Sequence, residues 1–150
     1  DLPRPGAAGL FCAGATLAQT GFGGDAAYTA APLGEARPPP PPPSSAPAAS
    51  DAGPPLGYFA GTDANDPLVA PAGSADVLRR FPPTLIITAT RGFEMSSSVY
   101  THSQLVRLGV DAELHVWDGM FHGFFYNPDV PESREAYDVM VKFFDRHLGR

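Results

Sequence analysis

The stretch Thr84–Thr90 reads TLIITAT, a continuous run of apolar and β-branched residues. A strand that other elements cover on both faces has this composition, whereas a strand with one face in solvent alternates apolar and polar side chains. Two prolines, Pro82 and Pro83, directly precede the run and mark its beginning. We therefore predict a buried β-strand here, covered on both faces.

A helix is predicted directly after this strand. Its apolar stripe recurs at helical spacing and consists of Met95, Val99, His102 and Val106. Gly109 is a typical residue at a helix C-terminus. The serines at 96–98 are expected to open the helix, where hydroxyls satisfy free backbone N–H groups. Ala112–Trp117 is predicted to form the next strand, with Leu114 and Val116 separated by a polar residue.

The C-terminal segment is predicted to form another helix. Its apolar face consists of Tyr137, Met140, Val141, Phe144 and Leu148. Strand, helix, strand and helix with short connections indicate a parallel sheet with right-handed crossovers. The residues that follow the strands of such a sheet lie along the same carboxyl edge. Gly92, after the first of these strands, and His122, after the second, are therefore expected to be neighbours.

The first part of the chain, residues 1–57, combines one short strand with a proline- and glycine-rich loop. The predicted strand is Gly9–Ala15, GLFCAGA. The proline-rich segment at 38–47 begins with the uninterrupted proline run Pro38–Pro43, which adopts a polyproline II conformation and cannot join a sheet. A ligand for an SH3- or WW-type domain is one interpretation, and a stiff surface loop is the one we favour. Residues 58–150 form the second, more regular part.

Charge and cysteine content exclude several classes of protein. The net charge of −6 argues against a nucleic-acid-binding surface, which needs clustered Lys and Arg. Cys12 is the only cysteine, so neither an internal disulfide nor a cysteine-rich metal site can form. The histidines are not closely spaced, and no apolar run has the length of a membrane span. We expect no metal, no cofactor, no nucleic-acid partner and no membrane span, and we favour a cytoplasmic location.

Three stretches carry a resemblance to one protein family. They are Asp66–Pro71 (DPLVAP), Phe81–Arg91 (FPPTLIITATR) and Trp117–Phe124 (WDGMFHGF). Together they resemble the hormone-sensitive-lipase-like branch of the α/β-hydrolases, from about position 58 to 148. The resemblance implies the C-terminal part of an α/β-hydrolase, with parallel strands, flanking helices and an incomplete sheet. It also implies hydrolysis of carboxylic esters by Ser, Asp and His, in that chain order and without a cofactor.

The resemblance carries one catalytic residue over to this chain. His122 matches the family's histidine, which takes a proton from a serine hydroxyl while a buried carboxylate holds the imidazole in the required tautomer. The family's acid should follow Thr88–Arg91, where this chain has Gly92. Glu94 and Asp118 are not expected to replace it. An offset of two residues moves a side chain by several ångströms, at roughly 3.3 Å per extended residue, whereas a hydrogen bond needs about 2.6–3.2 Å.

The serine nucleophile of the family is not found in this sequence. No serine lies in a Gly-x-Ser-x-Gly elbow, which exposes the nucleophile in these enzymes. Gly24–Ala27 (GDAA) has alanine where the serine would stand, and we interpret it as part of the loop after the first strand. The chain does not begin with Met, so we expect the elbow to lie upstream of Asp1 in a longer protein.

Two functional hypotheses remain open. The first is the C-terminal portion of a serine esterase, inactive alone, that acts on a small-molecule ester when an upstream half completes it. The alternative is a non-catalytic relic or interaction module that uses the proline-rich loop or an exposed sheet edge. A sheet without its leading strands offers unpaired backbone and apolar surface. We therefore expect the isolated chain to self-associate, to be poorly soluble or to be partly molten.

Overall fold

The computed structural model describes residues 3–16, 62–63 and 66–149. The strands among them are β1 (Ala8–Phe11), β2 (Thr84–Arg91) and β3 (Ala112–Phe121). The helices are α1 (Ala75–Leu78), α2 (Met95–Arg107) and α3 (Pro131–Leu148), with short 3-10 turns at Pro71–Gly73 and Phe124–Tyr126. The segment at 38–47, the stretch at 24–27 and the boundary at 57–58 lie outside the described residues. None of the helices described here is both long and apolar enough to cross a membrane.

The strands form a parallel sheet in the order β1-β2-β3. Thr84 of β2 pairs with Ala8 of β1 on one side and with Ala112 of β3 on the other. The residues of β2 from Thr84 to Ala89 are all buried, as their continuous apolar and β-branched composition predicted. The parallel strands with helices beside them confirm the predicted fold class.

Helices cover both faces of β2. On one face, alternate residues of β2 join a cluster with α3 and the turn before it, which includes Leu85, Ile87, Ala89, Phe124, Phe125, Ala136 and Phe143. On the other face, Ile86 packs with Leu78 of α1 and Leu105 of α2. Successive side chains of a strand point to opposite faces. A strand between two helix layers therefore buries apolar side chains in both directions.

The predicted helix α2 is present, but the predicted apolar stripe does not face the core. Val106 is 51% exposed, and Val99 is exposed as well. The buried residues of α2 are Ser97, Ser98, Thr101 and Leu105. Most of this buried face carries hydroxyl groups, which a search for hydrophobic periodicity does not register.

The loop after β1 explains the buried hydroxyls, because its backbone runs along α2. Ser98 Oγ donates a hydrogen bond to the Ala13 carbonyl, and the Ala15 N–H donates one to Thr101 Oγ1, each 2.9 Å long. A Cβ on Gly14 would collide with the backbone of α2. Buried backbone groups need hydrogen-bond partners, so α2 presents small hydroxyl side chains to this loop. Ser98 therefore binds a neighbouring segment and does not cap the helix, contrary to the expectation.

Helix α3 also forms as predicted, but its core-facing side is shifted by one residue. Its buried residues are Ser133, Ala136 and Phe143. Met140 is partly buried against the same cluster, whereas Val141 is 58% exposed and Tyr137 and Leu148 are exposed too. Adjacent residues of an α-helix point about 100° apart. The side chains of Tyr137 and Val141 therefore point away from the core, whereas those of Ala136 and Met140, one residue earlier in each case, point towards it.

Candidate active site

The turns after β2 and β3 meet at the carboxyl edge of the sheet. Arg91, at the end of β2, pairs with Phe121, at the end of β3. Gly92 and His122 follow these two residues directly, so the structure places them in adjacent turns, as the parallel topology predicted. Gly123 then adopts a left-handed conformation with a φ of 71°, which glycine tolerates without steric cost.

A buried carboxylate contacts the histidine in this turn. Glu94 Oε2 lies 2.8 Å from His122 Nδ1, and Glu94 Oε1 accepts a hydrogen bond of 2.9 Å from Thr88 Oγ1. The side chain of Glu94 is 3% exposed, whereas that of His122 is 29% exposed. The expectation that the offset of two residues keeps Glu94 out of hydrogen-bond distance of the imidazole is therefore wrong.

The turn after β2 explains the reach of Glu94. The expectation assumed an extended chain, but the chain bends at once: the Gly92 N–H donates to the Ala89 carbonyl at 2.9 Å, and the Met95 N–H donates to the Gly92 carbonyl at 3.2 Å. Glu94 has φ −97° and ψ 0° immediately before α2. Because the turn is tight, its side chain returns to the end of β2, and the two extra residues add little distance.

Gly92 leaves open the space that the Glu94 carboxylate occupies. A Cβ at position 92 would lie 2.8 Å from Glu94 Oε2 and closer still to Oε1. The glycines with positive φ do not include Gly92, so other residues could adopt its backbone conformation. A side chain at this position would therefore require the Glu94 carboxylate to move, whereas the backbone conformation is open to other residues.

The imidazole of His122 is held from two sides. The ring of Phe93 lies against it, with the ring centroids 4.4 Å apart and the planes tilted by 32°. On the other side Nδ1 faces the Glu94 carboxylate. A carboxylate only accepts hydrogen bonds, so Nδ1 carries the proton when the imidazole is neutral. The lone pair then lies on Nε2, which can take a proton from a hydroxyl group.

Asp118 takes part in a different contact. Asp118 Oδ1 accepts a hydrogen bond of 3.0 Å from Thr90 Oγ1, which itself accepts one of 2.8 Å from the Gly119 N–H. These bonds join the ends of β2 and β3 on the exposed side of the sheet edge. The carboxylate of Asp118 thus binds Thr90 at this edge.

Cys12 also reaches this edge, although the sequence analysis did not place it there. Strand β1 ends at Phe11 and not at Ala15 as predicted, because Cys12 has a φ of 49°, which is incompatible with a strand. Its Sγ accepts a hydrogen bond of 3.1 Å from the Gly123 N–H. The topology rule that paired Gly92 with the histidine applies to Cys12 as well, since it follows a parallel strand.

The thiol of Cys12 is not an activated nucleophile. Burial raises its pKa to about 12, while the Gly123 N–H lowers it and the nearby Glu94 raises it. Reactive cysteines have lowered pKa values.

One ligand atom each from Cys12, Glu94 and His122 lies within 4.8 Å of the others. Thiolate, carboxylate and imidazole are the usual ligands of zinc, so these three side chains could bind such an ion. No sequence spacing indicated this grouping, which the fold alone creates.

Known proteins match a large part of this chain. The family profile described as alpha/beta hydrolase fold matches residues 49–126. The acetyl-hydrolase of Streptomyces hygroscopicus is 30% identical over 93 residues, which are 61% of this chain and 30% of that protein. Esterase E25 has a TM-score of 0.55 and 38% identity over 60% of this chain and 27% of its own. An esterase of the bacterial hormone-sensitive lipase family has a TM-score of 0.55 and 26% identity over 60% of this chain and 30% of its own.

The chain spans less than a third of the length of each of these relatives. The profile match includes β2, α2, β3 and the turn that carries His122. The structure has the parallel strands and flanking helices of that fold. The chain therefore belongs to the α/β-hydrolase fold family, in its hormone-sensitive-lipase-like branch.

Proposed function

We propose that this chain is the part of a serine carboxylic-ester hydrolase that supplies the general base, His122. The observation that carries the proposal is the 2.8 Å contact between His122 Nδ1 and the buried Glu94 carboxylate at the carboxyl edge of the sheet. Such a contact orients the imidazole and leaves Nε2 to accept the proton of a nucleophile. A histidine that only fills space in the core has no need of a buried carboxylate.

The reaction proceeds through an acyl-enzyme. His122 Nε2 accepts the proton of a serine hydroxyl while the serine oxygen bonds to the carbonyl carbon of the ester. The imidazolium then gives this proton to the alkoxy oxygen as its bond to the acyl carbon breaks, and the alcohol departs. A water molecule repeats both steps on the acyl-enzyme, which releases the carboxylic acid and restores the serine. Ester and water are the only reactants, so the reaction needs no cofactor.

The serine that performs this attack comes from outside the 150 residues, because none of their serines lies in a Gly-x-Ser-x-Gly elbow. We therefore propose that the chain alone is inactive and that an upstream segment completes the site. The names of the relatives, acetyl-hydrolase and esterase, support a small-molecule ester with a short or medium acyl group as the substrate.

The test is hydrolysis of p-nitrophenyl acetate by two proteins, each beside its His122→Ala variant. The first is the purified chain, and the second is the chain joined to an N-terminal segment with a Gly-x-Ser-x-Gly elbow from a related esterase such as E25. We expect no turnover that depends on His122 in the first and clear His122-dependent turnover in the second. Turnover by the chain alone that disappears in His122→Ala would contradict the need for a serine elsewhere. A folded fusion whose turnover is unaffected by His122→Ala would contradict the role of the histidine.

Self-association is a further expected property of the isolated chain. Among the described residues the outer strands, β1 and β3, each have one neighbour in the sheet, and unpaired strand edges are templates for association. Light scattering coupled to size exclusion measures this directly. A monodisperse monomer with a sharp cooperative melt would contradict the idea that the sheet is incomplete.

The alternative of a non-catalytic interaction module has less support. Its proline-rich segment at 38–47 lies outside the described residues, so no structural feature of that segment favours it. The pairing of His122 with a buried carboxylate also has no role in such a module.

A further inference from the structure

We propose that Glu94 is the positioning residue of this site, and that its carboxylate performs, from two residues further along the chain, the task of an acid at position 92. The catalytic consequence rests on the proposed function, whereas the placement of the carboxylate is a property of the fold. Glu94 acts through His122 alone, because the mechanism gives it no contact with the serine or the ester.

Gly92 and Glu94 are compatible with this arrangement only as a pair. An aspartate at position 92 and the present conformation of Glu94 exclude each other, since a Cβ at 92 would lie 2.8 Å from Glu94 Oε2 and 2.9 Å from its Cδ. Two carboxylates at this site would also repel each other. The missing side chain at 92 thus provides the room in which a carboxylate from position 94 meets the imidazole.

The side chain of Glu94 is committed to the histidine and not to the helix that follows. Glu94 occupies the N-cap position of α2, yet its side chain makes no capping hydrogen bond. Its two oxygens are bound instead to His122 Nδ1 and to Thr88 Oγ1. Thr88 is fully buried in β2, so the central strand fixes the position of the carboxylate.

A second glutamate–histidine pair lies nearer the surface, where Glu113 also forms an ion pair with Arg146. Glu113 and His115 lie 3.7 Å apart, with side chains that are 35% and 38% exposed. Exposed pairs of this kind contribute little because solvent screens them. The Glu94–His122 contact is shorter and its carboxylate is buried, so Glu113 provides a matched control for substitution of Glu94.

The chemistry of the pair gives a signature that a purely structural role would not produce. The Glu94 carboxylate accepts the Nδ1 proton and leaves the lone pair on Nε2. In Glu94→Gln the amide group can donate to Nδ1, which places the proton on Nε2 and removes the lone pair that must accept the serine proton. The corresponding acid-to-amide change in a serine protease triad leaves the geometry intact but lowers turnover on the order of 10⁴-fold through the wrong tautomer.

The tautomer is measured by ¹⁵N NMR of the chain with labelled histidine, at a pH where the rings are neutral. We expect His122 to be predominantly the Nδ1–H tautomer in the native chain and in Glu113→Gln. We expect Glu94→Gln to shift it towards Nε2–H, and the double variant Glu94→Ala/Gly92→Asp, in which the space beside position 92 is free, to keep Nδ1–H. An unchanged His122 tautomer in Glu94→Gln would overturn the proposal.

Kinetics of the active fusion protein test the role of Glu94 in turnover, independently of how the isolated chain behaves. We expect Glu94→Gln to lower kcat on the order of 10³–10⁴-fold with KM changed only a few-fold, and Glu94→Ala/Gly92→Asp to have a kcat at least tenfold above that of Glu94→Ala. Glu94→Asp, whose carboxylate is about one C–C bond or 1.5 Å shorter in reach, should be intermediate. If turnover depends on His122 but not on Glu94, this inference fails while the proposed function stands. If no turnover depends on His122 although the tautomer follows Glu94, the proposed function fails while the positioning role stands.

Discussion

Introducing an aspartate at position 92, where the resemblance to the family places the expected acid, should destabilise the protein. A Cβ on Gly92 would lie 2.8 Å from Glu94 Oε2, so Gly92→Asp forces the Glu94 carboxylate away from its place. That displacement breaks its hydrogen bonds to Thr88 and His122, each worth about 1.5–3 kcal/mol as a bond to a charged group. The new aspartate can regain the bond to His122. The net loss in the free energy of unfolding is therefore about 1.5–3 kcal/mol.

A double-mutant cycle separates this effect from any general cost of a new side chain. In a Glu94→Ala background no carboxylate occupies the space, so Gly92→Asp can bind His122 without displacing a bonded group. We expect Gly92→Asp to be neutral or stabilising in this background. This gives a coupling free energy of about 1.5–3 kcal/mol between the two positions. Gly73→Asp is the control, because nothing lies within 4 Å of a Cβ at position 73, and its effect should stay within about 0.5 kcal/mol.

Urea unfolding followed by tryptophan fluorescence measures these free energies. Trp117 is the only tryptophan, and its ring centroid lies 5.4 Å from that of Phe124 in the core, so it reports on packing beside the site. An equal cost of Gly92→Asp in the Glu94 and Ala backgrounds would refute the reasoning. It would mean that the Glu94 carboxylate does not fill the space next to position 92.

Four further expectations concern the surroundings of the site and the core. Thr88→Val removes the donor to Glu94 Oε1 and should lower the free energy of unfolding by about 1–3 kcal/mol in the same titration. Cys12, with its pKa raised from 9.0 to about 12, should react with a disulfide reagent at neutral pH on the order of 10³-fold more slowly in the folded chain than in urea. The same raised pKa means that its contribution to stability is complete below pH 9 and is lost as the pH rises towards 12. Ser133→Ala removes the hydroxyl whose single proton is shared between the carbonyls of Phe124 and Asn127, at 3.0 and 2.7 Å. It should cost about 1–3 kcal/mol, whereas Ser103→Ala on the exposed side of α2 should cost under about 0.5 kcal/mol.

The central strand and the histidine turn were predictable because local sequence determines both. Residues 84–89 are apolar or β-branched at every position, a composition that is typical of a strand covered on both faces. The position of His122 followed from the order of the elements, because parallel strands deliver the residues that follow them to the same edge. Neither prediction required knowledge of a specific side-chain contact.

The faces of the two long helices could not be predicted in the same way. Hydrophobic periodicity identified α2 and α3 as helices, but it assumes that the buried side is the most apolar one. In α2 the buried side binds backbone groups of the loop after β1, so Ser98 and Thr101 lie inside and Val106 lies outside. In α3 a buried hydroxyl, Ser133, bonds to the carbonyls of the preceding turn and helps to fix which side faces the sheet.

The short distance between Glu94 and His122 was not predicted, because the estimate counted residues along the chain and did not consider where the carboxylate oxygens lie. The estimate for an extended chain holds for a strand, but the residues after β2 form a tight turn that begins with the Gly92-to-Ala89 hydrogen bond. In such a turn the longer side chain of glutamate compensates for the later position, provided that position 92 has no side chain of its own. The glycine at position 92 therefore does not leave His122 without a carboxylate beside it. Under the proposed function, the residue that an upstream segment has to supply is then the serine and not the acid.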